Sequence, residues 1–166
     1  MPILTALPYR DVLAMIRALA DAIAADDWTP THLVGIGRGG LVPAVYLSHA
    51  LSVPMLSIDF SAQADPLVAE SLLRLAGRAG AGERLLFVDD INDSGRTTAR
   101  LRAMPGVGDA RFATLIDNSR SSERVDYAAR TIDRATCKDW FVFPWEAMAT
   151  GSAILADAEE VPERTG

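Results

Sequence analysis

Apolar positions recur along this chain at two periods. Val12, Ile16, Leu19 and Ile23 fall three and four residues apart, which predicts an amphipathic helix over residues 11–27 with Asp11 as its cap. Short apolar runs predict buried strands at 32–37, 54–60, 84–89, 110–117 and 125–132. Helical patterns lie between them. One covers 41–51, with Pro43 in its first turn; another covers 66–76 and is ended by the glycine-rich stretch 77–82; a third lies near 96–104. Strands alternating with helices predict an α/β fold, a mainly parallel twisted sheet flanked by helices on both faces. Residues 133–149, with Trp140, Phe141, Phe143, Pro144 and Trp145, are too aromatic for a plain loop and predict a small C-terminal hood over the sheet's ligand edge. Residues 1–149 then form a single domain. The acidic stretch 150–166, with few large apolar groups after Leu155, is expected to be a flexible tail. The chain shows no internal repeat and no low-complexity tract.

Composition narrows this picture a little. The 166 residues, 49% apolar and 23% charged, are an ordinary globular mix for one core. A net charge of -6, from 22 acidic and 16 basic residues, argues against a general nucleic-acid binder. Cys137 is the sole cysteine, so no disulfide can form within the chain, and neither His32 nor His49 has a spacing that would make it a nucleophile's base. There is no apolar run of membrane-spanning length and no basic-then-apolar start, so a cytoplasmic protein without a membrane partner is expected.

The chemistry concentrates in residues 85–98, Leu-Leu-Phe-Val-Asp-Asp-Ile-Asn-Asp-Ser-Gly-Arg-Thr-Thr. A buried strand carries Asp89 and Asp90 at its carboxyl end, where open α/β sheets bind ligands. The loop Asp93-Ser94-Gly95-Arg96-Thr97 then opens a helix, offering N–H groups and hydroxyls to a phosphate. The acidic pair suits sugar hydroxyls and a divalent cation. A second glycine-rich segment, residues 35–40, matches a dinucleotide fingerprint at Gly35, Gly37 and Gly40, with Asp59 near the place of a ribose-binding acid. An NAD-dependent oxidoreductase is therefore one reading. Three features weigh against it: the bulky Arg38 inside the turn, the long helix before this strand, and a second loop left without a purpose. A reading that uses both loops places one anion on Arg38 and the N–H groups of Gly39 and Gly40, another on 93–97, and Asp89 and Asp90 between them. A sugar with a phosphate at one end and a pyrophosphate at the other fits that spacing of charges.

The segment 85–97 resembles the phosphoribosyl-pyrophosphate motif of type I phosphoribosyltransferases: an apolar strand, two acids, a gap of two, then Asp-Ser-Gly-x-Thr. Gly-Arg-Gly-Gly-Leu-Val-Pro at 37–43 is similar to that family's pyrophosphate loop. Asp126-Tyr127, with Trp140 through Glu146, is similar to the end of the xanthine-guanine and hypoxanthine members, in which an aromatic residue stacks on the purine.

The resemblance implies roles residue by residue. Asp89 and Asp90 would bind the ribose hydroxyls, with Asp90 the magnesium contact. Asp93 would sit near the purine N7 as proton donor or acceptor. Ser94, Gly95, Arg96 and Thr97 would cradle the 5′-phosphate, assisted by Thr98. Arg38 and Gly39 would meet the pyrophosphate, Trp140 would stack on the base, and the Phe141 backbone would read its edge. Trp145 is assigned to packing. Two departures stand out. Asn118 occupies the place where purine members usually have a lysine that reads the exocyclic oxygen, with Arg120 as an alternative. The segment 60–65, the counterpart of the mobile catalytic loop, has no tyrosine and no cation, so that Arg74 or Arg78 would have to reach in. The implied activity is magnesium-dependent transfer of the 5-phosphoribosyl group from phosphoribosyl pyrophosphate to a nucleobase, a 6-oxopurine, with release of pyrophosphate, by a homodimer or higher homo-oligomer. The alternative is a non-catalytic nucleotide-binding regulatory module.

Overall fold

The computed structural model describes residues 3–59 and 66–159. Segment 60–65, compared above with the catalytic loop, lies outside the described residues. Five parallel strands make the main sheet: β2 (His32–Ile36), β3 (Met55–Ile58), β4 (Leu85–Asn92), β5 (Arg111–Asn118) and β6 (Tyr127–Ile132), in the spatial order β3-β2-β4-β5-β6. Alternation along the strands explains the two covered faces. Leu33 of β2, Leu86 and Val88 of β4, and Ala113 and Leu115 of β5 pack on one side with α1 (Tyr9–Ala24) and α2 (Gly37–Leu51). Val34, Leu85, Phe87 and Phe112 pack on the other with Leu75 of α3 (Pro66–Gly80) and Leu101 of α4 (Arg96–Arg102). The Phe87 and Phe112 rings stack there, with centroids 5.2 Å apart.

Helix α1 buries Val12, Ile16, Leu19 and Ile23, the stripe that its spacing predicts. Its cap differs from expectation. Pro8 holds the N-cap position, and Asp11 lies in the first turn, where a carboxylate still favours the positive helix end. Helix α3 runs through Gly77 to Gly80, and Gly82 at φ +91° follows it. Strand β4 runs three residues beyond the predicted strand end, to Asn92, because β5 continues beside it, pairing Ile91 with Ile116 and Asn92 with Asp117. Helix α2 begins at Gly37 instead of 41, so the glycine segment forms the helix's opening turns and Pro43 lies inside it.

Two further elements depart from the pattern. Strand β1 (Ile3–Ala6) pairs in parallel with β7 (Asp139–Val142), so both ends of the domain build the hood. The Thr5 hydroxyl donates to Asp139 Oδ1 at 3.0 Å across that pair. Within the stretch expected to be a flexible tail, residues Gly151–Glu159 form helix α5, with Ala158 buried; residues 160–166 lie outside the described residues. Among the described residues no helix is long and apolar enough to cross a membrane.

Candidate functional site

The strand order reverses between β2 and β4. The chain leaves β2 toward β3 on one side and leaves β4 toward β5 on the other. A crevice opens at such a point, outside the carboxyl ends of both strands. The two glycine segments flank it.

On the β2 side the chain turns at Gly37, with φ +56°, directly into α2. Gly39 and Gly40 lie hard against β4. A methyl group at Gly39 would meet Asp90 Oδ2 at 2.2 Å, and one at Gly40 would meet the Val88 carbonyl at 2.1 Å. Only residues without a Cβ allow this approach, so the glycines bring the start of α2 up to the acidic pair. Arg38 is exposed, on the wall of an outer cavity that it shares with Gly39, Asp90 and Trp140.

On the β4 side the loop 93–97 turns at Gly95, with φ +84°. A methyl group there would lie 2.5 Å from Ser122 Oγ and 2.7 Å from the Glu123 nitrogen, so the β5–β6 connection packs tightly on the loop. Ser122 Oγ donates to the Ser94 carbonyl at 2.8 Å, and the Arg96 N–H donates to Ser94 Oγ at 3.4 Å. Ser94, Gly95, Arg96 and Thr97 together wall a small cavity beside Asp89. Thr98, expected to assist the loop, is buried and donates to Asn92 Oδ1 at 3.3 Å.

Asp89 and Asp90 are consecutive on a strand, so their side chains leave it in opposite directions. Asp89 faces the loop 93–97 and Asp90 faces Gly39. Both border a central cavity of about 230 Å³, whose other walls include Asp93, Thr97, Arg134, Trp140, Phe141 and Glu146. Here the cup at 93–97 and the cup at 37–40 open on either side of one acidic pair.

Asp93 is 5% exposed and held from several directions. Arg134 grips its carboxylate in a forked pair, Nε to Oδ1 and Oδ2 at 3.1 Å and Nη2 to Oδ2 at 2.9 Å. Asn118 Nδ2 donates to the Asp93 carbonyl at 3.0 Å and to Oδ1 at 3.3 Å, while Asn118 Oδ1 accepts from the N–H groups of Arg120 and Arg134. Asn118, expected to read the base, is buried here, with its amide donating to Asp93 and its carbonyl taken by two backbone donors. Arg120 pairs with Asp133 at the surface. Arg78 pairs with Glu83 and His32 at the opposite, amino edge of the sheet, and Arg74 pairs with Glu70 on the exposed face of α3. None of these three cations lines the crevice.

The hood supplies the remaining walls. Half-buried Trp140 borders both the central and the outer cavity, whereas Phe141 is buried, its ring under the guanidinium groups of Arg130 and Arg134 at 5.3 and 5.5 Å. Trp145 stacks on Phe143 with centroids 4.7 Å apart, the packing role predicted for it. Pro144 opens a 3₁₀ turn (Pro144–Glu146), and Glu146 Oε2 accepts the Phe143 N–H at 2.8 Å. This carboxyl is pushed above the ordinary glutamate range, first by burial and then by the charges of Asp90 and Asp157, with the Phe143 N–H and Arg38 opposing.

Sequence reasoning missed Arg134 and gave Glu146 no role. Arg134 carries no local signal, because its partner is 41 positions away. Glu146 had one: a proline followed two residues later by an acid that reaches back to a turn's first N–H.

A strand-order reversal flanked by glycine turns at the carboxyl edge of a parallel sheet places the protein among the open α/β folds that bind ligands at that edge. Within that class, residues 8–149 match the phosphoribosyl transferase domain, and the chain belongs to that family of pentosyltransferases. A purine phosphoribosyltransferase from Pyrococcus horikoshii Ot3 is similar at 25% identity and a TM-score of 0.63, over 88% of this chain and 95% of that one. A Helicobacter pylori xanthine-guanine-hypoxanthine phosphoribosyltransferase shares the fold at 16% identity and a TM-score of 0.62, over 96% and 99% of the two chains. So does a Neisseria gonorrhoeae protein solved with bound ppGpp, at 22% identity and a TM-score of 0.63, over 96% and 98%.

Proposed function

We propose that the protein transfers the 5-phosphoribosyl group of phosphoribosyl pyrophosphate to N9 of a 6-oxopurine such as hypoxanthine, guanine or xanthine. The observation that carries this reading is the contact of Gly39 with Asp90, which brings two anion cups to either side of one cavity with an aromatic wall. The 5′-phosphate sits on the N–H groups and hydroxyls of Ser94, Gly95, Arg96 and Thr97. Asp89 and Asp90 take the ribose hydroxyls. The pyrophosphate meets Arg38 and the opening turn of α2, whose dipole favours an anion. Trp140 stacks on the base, with the Phe141 backbone at its edge.

The donor set suits magnesium. Adjacent carboxylates beside a phosphate-binding loop match a cation that takes one or two protein oxygens and fills its remaining positions with substrate oxygens and water. Asp90, with Asp89 beside it, would hold that cation, and the bound ion would offset the negative charge of the leaving pyrophosphate.

In the transfer, N9 forms a bond to the anomeric carbon as the bond from that carbon to the pyrophosphate oxygen breaks. The electron pair leaves with pyrophosphate, and the N7 proton is released toward Asp93. No nucleophilic side chain is needed. The chain holds both reactants in line, and Arg38 supplies positive charge where the leaving group develops negative charge. Arg134 and Asn118 fix the Asp93 carboxylate in one orientation, which reduces the reorganisation needed at that point.

A homodimer is part of the reading. Tyr9, Leu41, Val45 and Tyr46 leave apolar surface exposed on α1 and α2, and sedimentation tests for the second copy. Incubating the protein with magnesium, phosphoribosyl pyrophosphate and each common base, then measuring pyrophosphate, tests the transfer. Release with a 6-oxopurine supports it; tight binding of phosphoribosyl pyrophosphate with no release for any base would select a regulatory binding module.

A further inference from the structure

Arg134 has more donors than its grip on Asp93 uses. A guanidinium carries five N–H donors in a fixed fork. The Nε–H and one Nη2–H of Arg134 go to the Asp93 carboxylate, at 3.1 and 2.9 Å. Its Nη1 donates to the carbonyls of Cys137 and Asp139, at 3.2 and 2.7 Å. The second Nη2–H has no acceptor among the described residues, although the side chain is only 8% exposed. The same side chain forms part of the central cavity wall beside Trp140 and Phe141. Buried donors are nearly always satisfied, and one left over at a cavity wall points to an acceptor that arrives with a ligand.

We propose that Arg134 sets the choice of base, donating its remaining N–H to the exocyclic oxygen of a 6-oxopurine and turning away 6-aminopurines. The inference rests on the transfer reading above and assigns its base selectivity to one residue. Asp93 and Arg134 present an acceptor and a donor side by side. A free 6-oxopurine reacting through N9 carries hydrogen on N7 and an acceptor at O6, so its edge complements the pair. A 6-aminopurine shows a donor at position 6, which would face the guanidinium N–H. The guanidinium cannot swing away, because Asp93 and two backbone carbonyls hold it on three sides. A fixed buried donor discriminates strongly against a ligand that cannot accept from it. The two residues that the sequence offered for this task are engaged elsewhere, Asn118 on Asp93 and Arg120 on Asp133.

The test is calorimetric titration of the whole protein with inosine and adenosine 5′-monophosphates, which needs no turnover. The expected result is inosine monophosphate tighter by at least about tenfold in the wild type, the ratio falling below about threefold in Arg134→Gln, with Arg134→Lys between them. Affinity for magnesium phosphoribosyl pyrophosphate should move less than about threefold in either variant, since Arg134 lies on the base side of the cavity. Equal affinity for the two nucleotides in the wild type overturns the inference, and so does an unchanged ratio in Arg134→Gln. Should Arg134→Gln fail to fold for want of a partner to Asp93, the wild-type ratio and Arg134→Lys, which keeps the charge, decide. Pyrophosphate release as fast with adenine as with hypoxanthine sinks the inference and leaves the transfer reading standing. An intact inosine preference without release for any base does the reverse.

Discussion

The loop at 93–97 and the central cavity beside it, neighbours in space, are assembled differently. Residues 93–97 form the cup as one contiguous loop, pinned by its own Ser94 and by Gly95 packed under Ser122. The central cavity draws Asp93 from the end of β4, Arg134 from the turn after β6, and Trp140 and Glu146 from the hood. The hood itself is tied down by β1 from the other end of the chain. A local loop can keep its shape when its surroundings drift. A cavity made of distant pieces depends on each tie between them, so its charged ties should be the most sensitive points in the molecule.

The sharpest way to break that contrast is Asp93→Ala. It leaves the buried Arg134 charge unpaired, so denaturant unfolding should show a loss of about 3–5 kcal/mol. Asp93→Asn keeps the shape and some hydrogen bonding. It should cost less stability but lower kcat roughly 100-fold, with the KM for phosphoribosyl pyrophosphate little changed. An equal loss in binding would count against a role for Asp93 in moving the proton. Gly40→Ala acts at the seam between the halves. Its methyl group meets a backbone carbonyl of β4, so α2 must shift, at about 1–3 kcal/mol, and affinity for phosphoribosyl pyrophosphate should fall in the same titration. Trp140→Ala should separate the two regions cleanly. It should raise the KM for the base roughly tenfold through lost stacking and leave that for phosphoribosyl pyrophosphate unchanged. The smallest effect is expected at Glu146. The folded state holds this carboxyl's proton to a higher pH than the unfolded chain does. Stability should therefore decline as pH rises through the window just above the ordinary glutamate value, then level off. Melting temperatures of Glu146→Gln across that window should lack this slope.

What could be read without coordinates follows the same division. The α1 stripe, five of the strands and the cup at 93–97 rest on periodicity and on contiguous turn chemistry, and these act over a few residues. Errors fell where a distant partner intervened. Strand β4 ran on to Asn92 because β5 lies beside it. The segment read as a glycine loop became the start of α2, because Gly39 and Gly40 could settle against β4. Strand β1, four residues long with mostly exposed side chains, had no period to announce it, since its partner β7 lies at the far end of the chain.

The amino-acid sequence by itself determined the α/β class, the acidic pair and the turn at 93–97, because backbone preference and hydrophobic patterning are local and repeat. The tertiary structure alone decided that Asn118 donates to Asp93 and that Arg134 holds Asp93 with a donor to spare. It likewise decided that the glycine turn closes on Asp90. Ion pairs and close packing join residues by distance in space, and nothing in the spacing along the chain encodes that distance.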